Sequence, residues 1–131
     1  MDSARVRDAF AVAADYFVAT VAQVPADVWD RPGLGEWSVR ALVGHTSRAL
    51  LTVETYLAAG AARVAVPGPV EYFLVTLAPT ADHSAIAERG RQAGAALGDD
   101  PAGAVRTLAE RVVARVRRAA DTDLVGTPAG A

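Results

Sequence analysis

Two histidines, His45 and His83, and no cysteine are what this 131-residue chain offers to metal or imidazole chemistry. Without a thiol, disulfides, thiolate metal sites and a cysteine nucleophile are excluded. His45 carries most of the interest. It stands two turns into a segment whose apolar residues Val39, Leu42, Val43, Thr46, Leu50, Val53 and Leu57 recur at helical spacing. On a helical wheel His45 lies about 120° from the centre of that stripe, beside Ala41, Ala49 and Thr52, so it faces a neighbouring helix or a cleft. The plainest role there is a boundary histidine bonded to backbone or water. A metal site needs at least three ligands held together, and neither an HxxxH nor an ExxH pair occurs in the sequence. His83 lies near the start of a later helix, where an exposed first-turn position suits it better than ligation. Asp15 and Glu54 are helix residues that could turn inward, though their spacing does not require it.

Other motifs are weaker. Pro32-Gly-Leu-Gly-Glu-Trp37 leading into a helix is similar in outline to a phosphate-cradling turn. It lacks a preceding strand, a third glycine and a lysine, and Glu36 would repel an anion, so a structural turn is expected. No GxSxG is present, and Ser47 lies on a different helical face from His45, which argues against a serine hydrolase. Arg111, Arg115 and Arg118 share a face near a helix C-terminus and read as a solvated face favourable to the dipole. All 13 cations are arginine, yet the net charge of −2 gives no reason to expect nucleic acid as a partner.

These residues must be positioned by helices. A first helix is expected over about Ser3–Val24, with Val6, Phe10, Ala13, Phe17, Val21 and Val24 as its inner face and Pro25 as its stop. The loop from Pro25 to Trp37 holds two tryptophans, which suggests that it packs down on the bundle. Ser38 is the N-cap of a second helix ending at Ala59, with Gly60 just beyond it. Trp37 and Leu42 sit at hydrophobic-staple positions, so Trp37 is expected to pack over the first turn and set the angle of His45. Prolines 67, 69 and 79 fence in an apolar run that reads as a short helix from Pro69. A third long helix follows over about Asp82–Leu97, with Ile86, Gly90, Ala93 and Leu97 inward. A fourth starts at Asp100-Pro101 and frays near Ala120, with Val105, Leu108, Val112 and Val116 inward. The tail has no periodicity. The reading is one all-α domain, residues 1–131, a bundle of four principal helices without a sheet of consequence. No stretch approaches the ~18 apolar residues of a membrane span, and no signal sequence opens the chain, so a cytoplasmic location without membrane partners is expected.

The run Trp29-Asp-Arg-Pro-Gly-Leu-Gly-Glu-Trp-Ser-Val-Arg-Ala-Leu-Val-Gly-His45 resembles the N-terminal metal-binding domain of mycothiol-dependent maleylpyruvate isomerases, in the DinB/YfiT-like superfamily. The family pattern is a tryptophan and a proline in the loop, then Trp-Ser/Thr/Asp-Val-Arg-x-Leu-Val-x-His. Trp37, Val39, Arg40, Leu42, Val43 and His45 match it. The first helix and Asp99-Asp100-Pro101 also look like this group, so the resemblance covers essentially the whole chain.

The resemblance implies that His45 is one of three ligands to a divalent metal, zinc or nickel. The other two would come from a Glu/His-x-x-x-His pair on a helix beyond a Thr-Pro-x-Gly segment like Thr127-Pro-Ala-Gly130. The sequence stops there, so a DinB-like bundle lacking that ligand-bearing helix is expected, with an incomplete metal set. His83 matches neither missing ligand.

Two functions compete. In one, a metal holds mycothiol as thiolate and polarises a small electrophile, which is isomerised or conjugated. In the other, the same fold is a non-catalytic module that binds a small ligand or self-associates. A missing helix would leave Val105, Leu108, Val112 and Val116 short of partners, and a two-fold homodimer would be the commonest way to cover them.

Overall fold

Asp2 opens the first helix, α1 (Ser3–Ala22), its carboxylate accepting from the Ala4 N–H. In the computed structural model, which describes residues 2–76 and 82–128, the loop that follows folds into a small antiparallel hairpin. Its strands are β1 (Pro32–Leu34) and β2 (Trp37–Ser38). Gly35 makes the turn at φ 56°, a left-handed conformation that glycine adopts without strain. Ser38 then caps α2 (Val39–Ala59), its Oγ accepting from the Ala41 N–H at 3.1 Å. Helix α3 (Pro69–Thr76) is short. Helix α4 (His83–Ala96) starts at the Asp82 cap, and α5 (Pro101–Arg118) at the Asp100 cap with proline in its first turn. Among the described residues the architecture is all-α: four long helices, one short one and the hairpin. Leu77 and Pro79 of the apolar run, and Gly130 of the Thr-Pro-x-Gly segment, lie outside the described residues.

Contact between α2 and α4 sets the geometry of the molecule. A Cβ added to Gly44 would stand 2.1 Å from the Gly94 nitrogen, and one added to Gly94 would stand 2.7 Å from the Arg40 carbonyl oxygen. The two backbones therefore touch, and only glycine fits at the crossing. The expected inward faces hold in the main, with Val21, Val43 and Leu50 buried and Phe10, Phe17 and Val53 packed against the core, but not at Val6, Ala13 and Thr46. On α4 the buried residues are Ala87, Gly90 and Gly94, with Ile86, Ala93 and Leu97 only half-buried. On α2 they are Ala41, Val43, Gly44, Ser47 and Leu50, while Thr46 is exposed. On α1 they are Ala11, Ala14 and Val21, with Val6 half in solvent, Ala13 exposed, and the helix ending at Ala22 rather than Val24. Close approach favours small side chains at that crossing, while Val21, Val43, Leu50, Val105, Leu108 and Val112 fill the core elsewhere.

The apolar core has two parts. Ala14, Leu50, Leu108, Ala109 and Val112 form one, and Val21, Trp29, Val43 and Val105 the other. Val105 and Val112 have no exposed surface at all, and Val116 packs against the first part. The expectation that these residues lack partners is thus overturned, because α1 and α2 already cover them. The arginine face of α5 is solvated at Arg111 and Arg118, as expected, but it is also tied to α2. Arg111 grips Glu54 of α2 through two bonds of 2.7 and 3.1 Å, and Arg115 donates to the Leu57 carbonyl, while Arg118 is exposed. No helix among the described residues is long and apolar enough to cross a membrane.

Candidate functional site

Trp37 ends the hairpin immediately before the Ser38 cap, so its position is fixed by both. Its indole N–H donates to the Ala87 carbonyl of α4 at 3.0 Å. A Cβ on Gly90 would come within 2.9 Å of the indole, so glycine there makes the seat for the ring. The other face of the indole lies 4.4 Å from the His45 ring, centroid to centroid, with the planes tilted by 33°. Trp37 thus packs toward α4 and His45, while Leu42, at the other staple position, lines a groove with Tyr16 and Phe17 of α1. Trp29, expected to pack down on the bundle, is buried against the core. Arg40 clamps the same loop, bonding Asp30 at 3.2 Å and the Gly98 carbonyl at 3.0 Å while lying over the Trp29 ring.

His45 itself is exposed. It lines an open groove of about 420 Å³ with Arg48, Thr52, Ile86 and Arg89. The cleft-facing flank expected from periodicity is what is observed. Arg48 and Arg89 make no ion pair among the described residues, whereas Glu36 and Glu88 are both held by Arg91 at 3.0 and 3.1 Å. The groove is therefore cationic. At Thr52 it meets a second cavity, also about 420 Å³, walled by Val53, Tyr56, Val66, Tyr72 and Val125. Burial raises the Tyr56 phenol above its ordinary pKa, a hydrogen bond with Tyr72 raises it further, and the Arg48 charge opposes the shift.

The remaining candidates sit apart. Asp15 belongs to a groove between α1 and α5 where Glu110 faces Arg106 and Arg117, which balances its charges. His83 is the exposed first residue of α4, beside Leu34 and Glu36 in a shallow depression. Glu54 is committed to Arg111, whose hydrogen bond holds its carboxyl below the usual value.

A divalent metal does not fit this arrangement. Among the described residues no three histidine or carboxylate side chains come together. The charged neighbours of His45 in its groove are two guanidiniums, which repel a cation. Arg48, Arg89, Tyr56 and Tyr72 did not emerge from sequence reasoning. Arg48 was within reach of it, since residues 45, 48, 49, 52 and 56 share one helical face. Arg89 was not, because only the glycine crossing brings α4 alongside.

Comparison with known families adds one finding. The family model described as the mycothiol maleylpyruvate isomerase N-terminal domain matches residues 7–131. No curated protein and no solved structure gives a match.

Proposed function

The chain belongs to the mycothiol maleylpyruvate isomerase N-terminal domain family, and from that membership we propose that it serves thiol-dependent chemistry on small electrophiles, with the His45 groove as its site. The observation that carries this reading is the seat of His45. Its ring is fixed by Trp37 at the edge of a groove large enough for a small molecule. An imidazole held there can take the proton of an incoming thiol, leaving the sulfur free to add as thiolate to an unsaturated carbon. Returning that proton as the carbon–sulfur bond breaks releases an isomer and regenerates the thiol. Retention of the bond gives a conjugate. Zinc or nickel, which the resemblance implies, would take His45 as a ligand. The described residues supply no set to hold it, and no step here runs through it.

The test is turnover of maleylpyruvate, as the probe electrophile, by the purified chain with and without mycothiol. Thiol-dependent loss of the electrophile is expected, and His45→Ala should lower it by about a hundredfold or more. An equal rate in His45→Ala, or no thiol dependence in the parent chain, overturns the reading. The apolar cavity beyond Thr52 favours a second reading, a small-ligand module that binds without turnover.

A further inference from the structure

We propose that the face of α2 running from His45 to Tyr56 binds an amphiphilic monocarboxylate, its charged end at Arg48 and Arg89 and its apolar body beyond Thr52. The proposal rests on the reading above only in taking the His45 groove as the functional site. Two guanidiniums line that groove and have no carboxylate partner among the described residues. A planar, permanently charged fork suits a carboxylate, which it can hold through paired hydrogen bonds.

The far end has the opposite character. Val53, Val66 and Val125 wall the second cavity together with Tyr56 and Tyr72, and no charged side chain among the described residues lines it. A second carboxylate placed there would give up water without gaining an opposite charge. A compact dicarboxylate therefore fits only half the site, and one charge with an apolar chain fits all of it. The dimension agrees. Arg48 and Tyr56 are eight residues apart on one helix, about 12 Å along its axis, which is the reach of an extended medium-chain acid.

The experiment uses the full chain without thiol or metal, titrated with octanoate, acetate and octanol by calorimetry, with the fluorescence of Trp37 in a Trp29→Phe background as a second signal. Octanoate should bind at least about tenfold more tightly than acetate, which has no body, or octanol, which has no charge. The double variant Arg48→Gln/Arg89→Gln should weaken octanoate at least about tenfold and leave octanol unchanged. Tyr72→Ala should weaken octanoate and leave acetate unchanged. Melting curves confirm that each variant is folded. Equal binding of octanoate and octanol, no measurable binding of octanoate, or indifference to loss of both arginines overturns the proposal. Thiol-dependent turnover without octanoate binding defeats this proposal alone. Octanoate binding without turnover defeats the thiol reading alone.

Discussion

Trp37 joins three elements: the hairpin to which it belongs, the Ala87 carbonyl fifty residues on in α4, and the His45 ring in α2. An indole does this where a smaller ring would not, because it offers a donor at one edge and a broad face for stacking. Replacing Trp37 with phenylalanine removes the donor and with it the second hydrogen bond to the Ala87 carbonyl, yet keeps an aromatic face toward His45. That variant should lose about 1 kcal/mol of stability in urea unfolding. Trp37→Ala removes the packing too. Because the side chain is half-buried rather than enclosed, its loss should fall toward the lower end of the range for aromatic truncation, about 2–4 kcal/mol. The two variants separate support from stacking in the NMR spectrum. The His45 ring protons should move downfield in Trp37→Ala, where the indole ring current is gone, and much less in Trp37→Phe. A His45 signal unmoved by either substitution would show that the rings do not stack in solution.

The meeting of α2 and α4 at Gly44 and Gly94 governs where every side chain of the candidate groove comes to lie. A methyl group at position 44 would fall 2.1 Å from the Gly94 nitrogen, a distance no rotamer can relieve because both partners are backbone. Gly44→Ala should therefore cost about 3 kcal/mol or more as the helices are forced apart, and Arg89 should withdraw from Arg48. Gly98→Ala tests the opposite situation, since that glycine has open space around it and only a positive φ of 72° to maintain. About 1 kcal/mol is expected there. The α2–α5 contact is instead electrostatic at its edge. Arg111 lowers the Glu54 carboxyl below its ordinary value of 4.5, so the folded state binds that proton less readily than the unfolded chain. The pair thus stabilises the fold at neutral pH and weakens as acid protonates Glu54 somewhere below 4.5. Both partners are partly in water, so Glu54→Gln should cost only about 0.5–1 kcal/mol at pH 7, and its deficit relative to the parent should vanish in strong acid. The elements were legible in the sequence because their signals are local: Ser38, Asp82, Asp100 and Pro101 mark helix starts whatever surrounds them. Their inward faces were legible only in part. Periodicity weights large apolar residues and so finds the inner face of α5, whereas α2 and α4 meet on Gly44 and Gly94. His45 was found because it flanks one helix, and Arg89 was missed because it reaches the groove from another.

Beyond α5 the chain loses periodicity but not its place. The guanidinium of Arg7, near the start of α1, donates to the Ala119 carbonyl at 2.7 Å and pairs with Asp121. Further along, the Gly126 N–H donates to the Tyr56 carbonyl at 3.1 Å. The segment from Ala119 to Gly126 is thereby laid across the beginning of the first helix and the end of the second, and Val125 becomes a wall of the apolar cavity. The arrangement depends on close contact at Gly126, where a Cβ would stand 2.7 Å from the Gly60 carbonyl oxygen and 2.9 Å from the Ala59 methyl. Both obstacles belong to the capped end of α2, which cannot yield without unwinding. The tail is the weaker party, since it has no ladder of its own and few buried side chains, and segments of that kind open first. Gly126→Val should therefore detach the tail while leaving the helices formed. Limited digestion with trypsin reads this directly, because Arg117 and Arg118 end α5 and are exposed. Cleavage there should be several-fold faster in Gly126→Val than in the parent, with an unchanged helical circular dichroism spectrum, and Arg7→Ala should have a similar effect from the other end of the tether. Equal cleavage rates in all three proteins would mean that the tail is already loose, and that Val125 does not help to close the cavity.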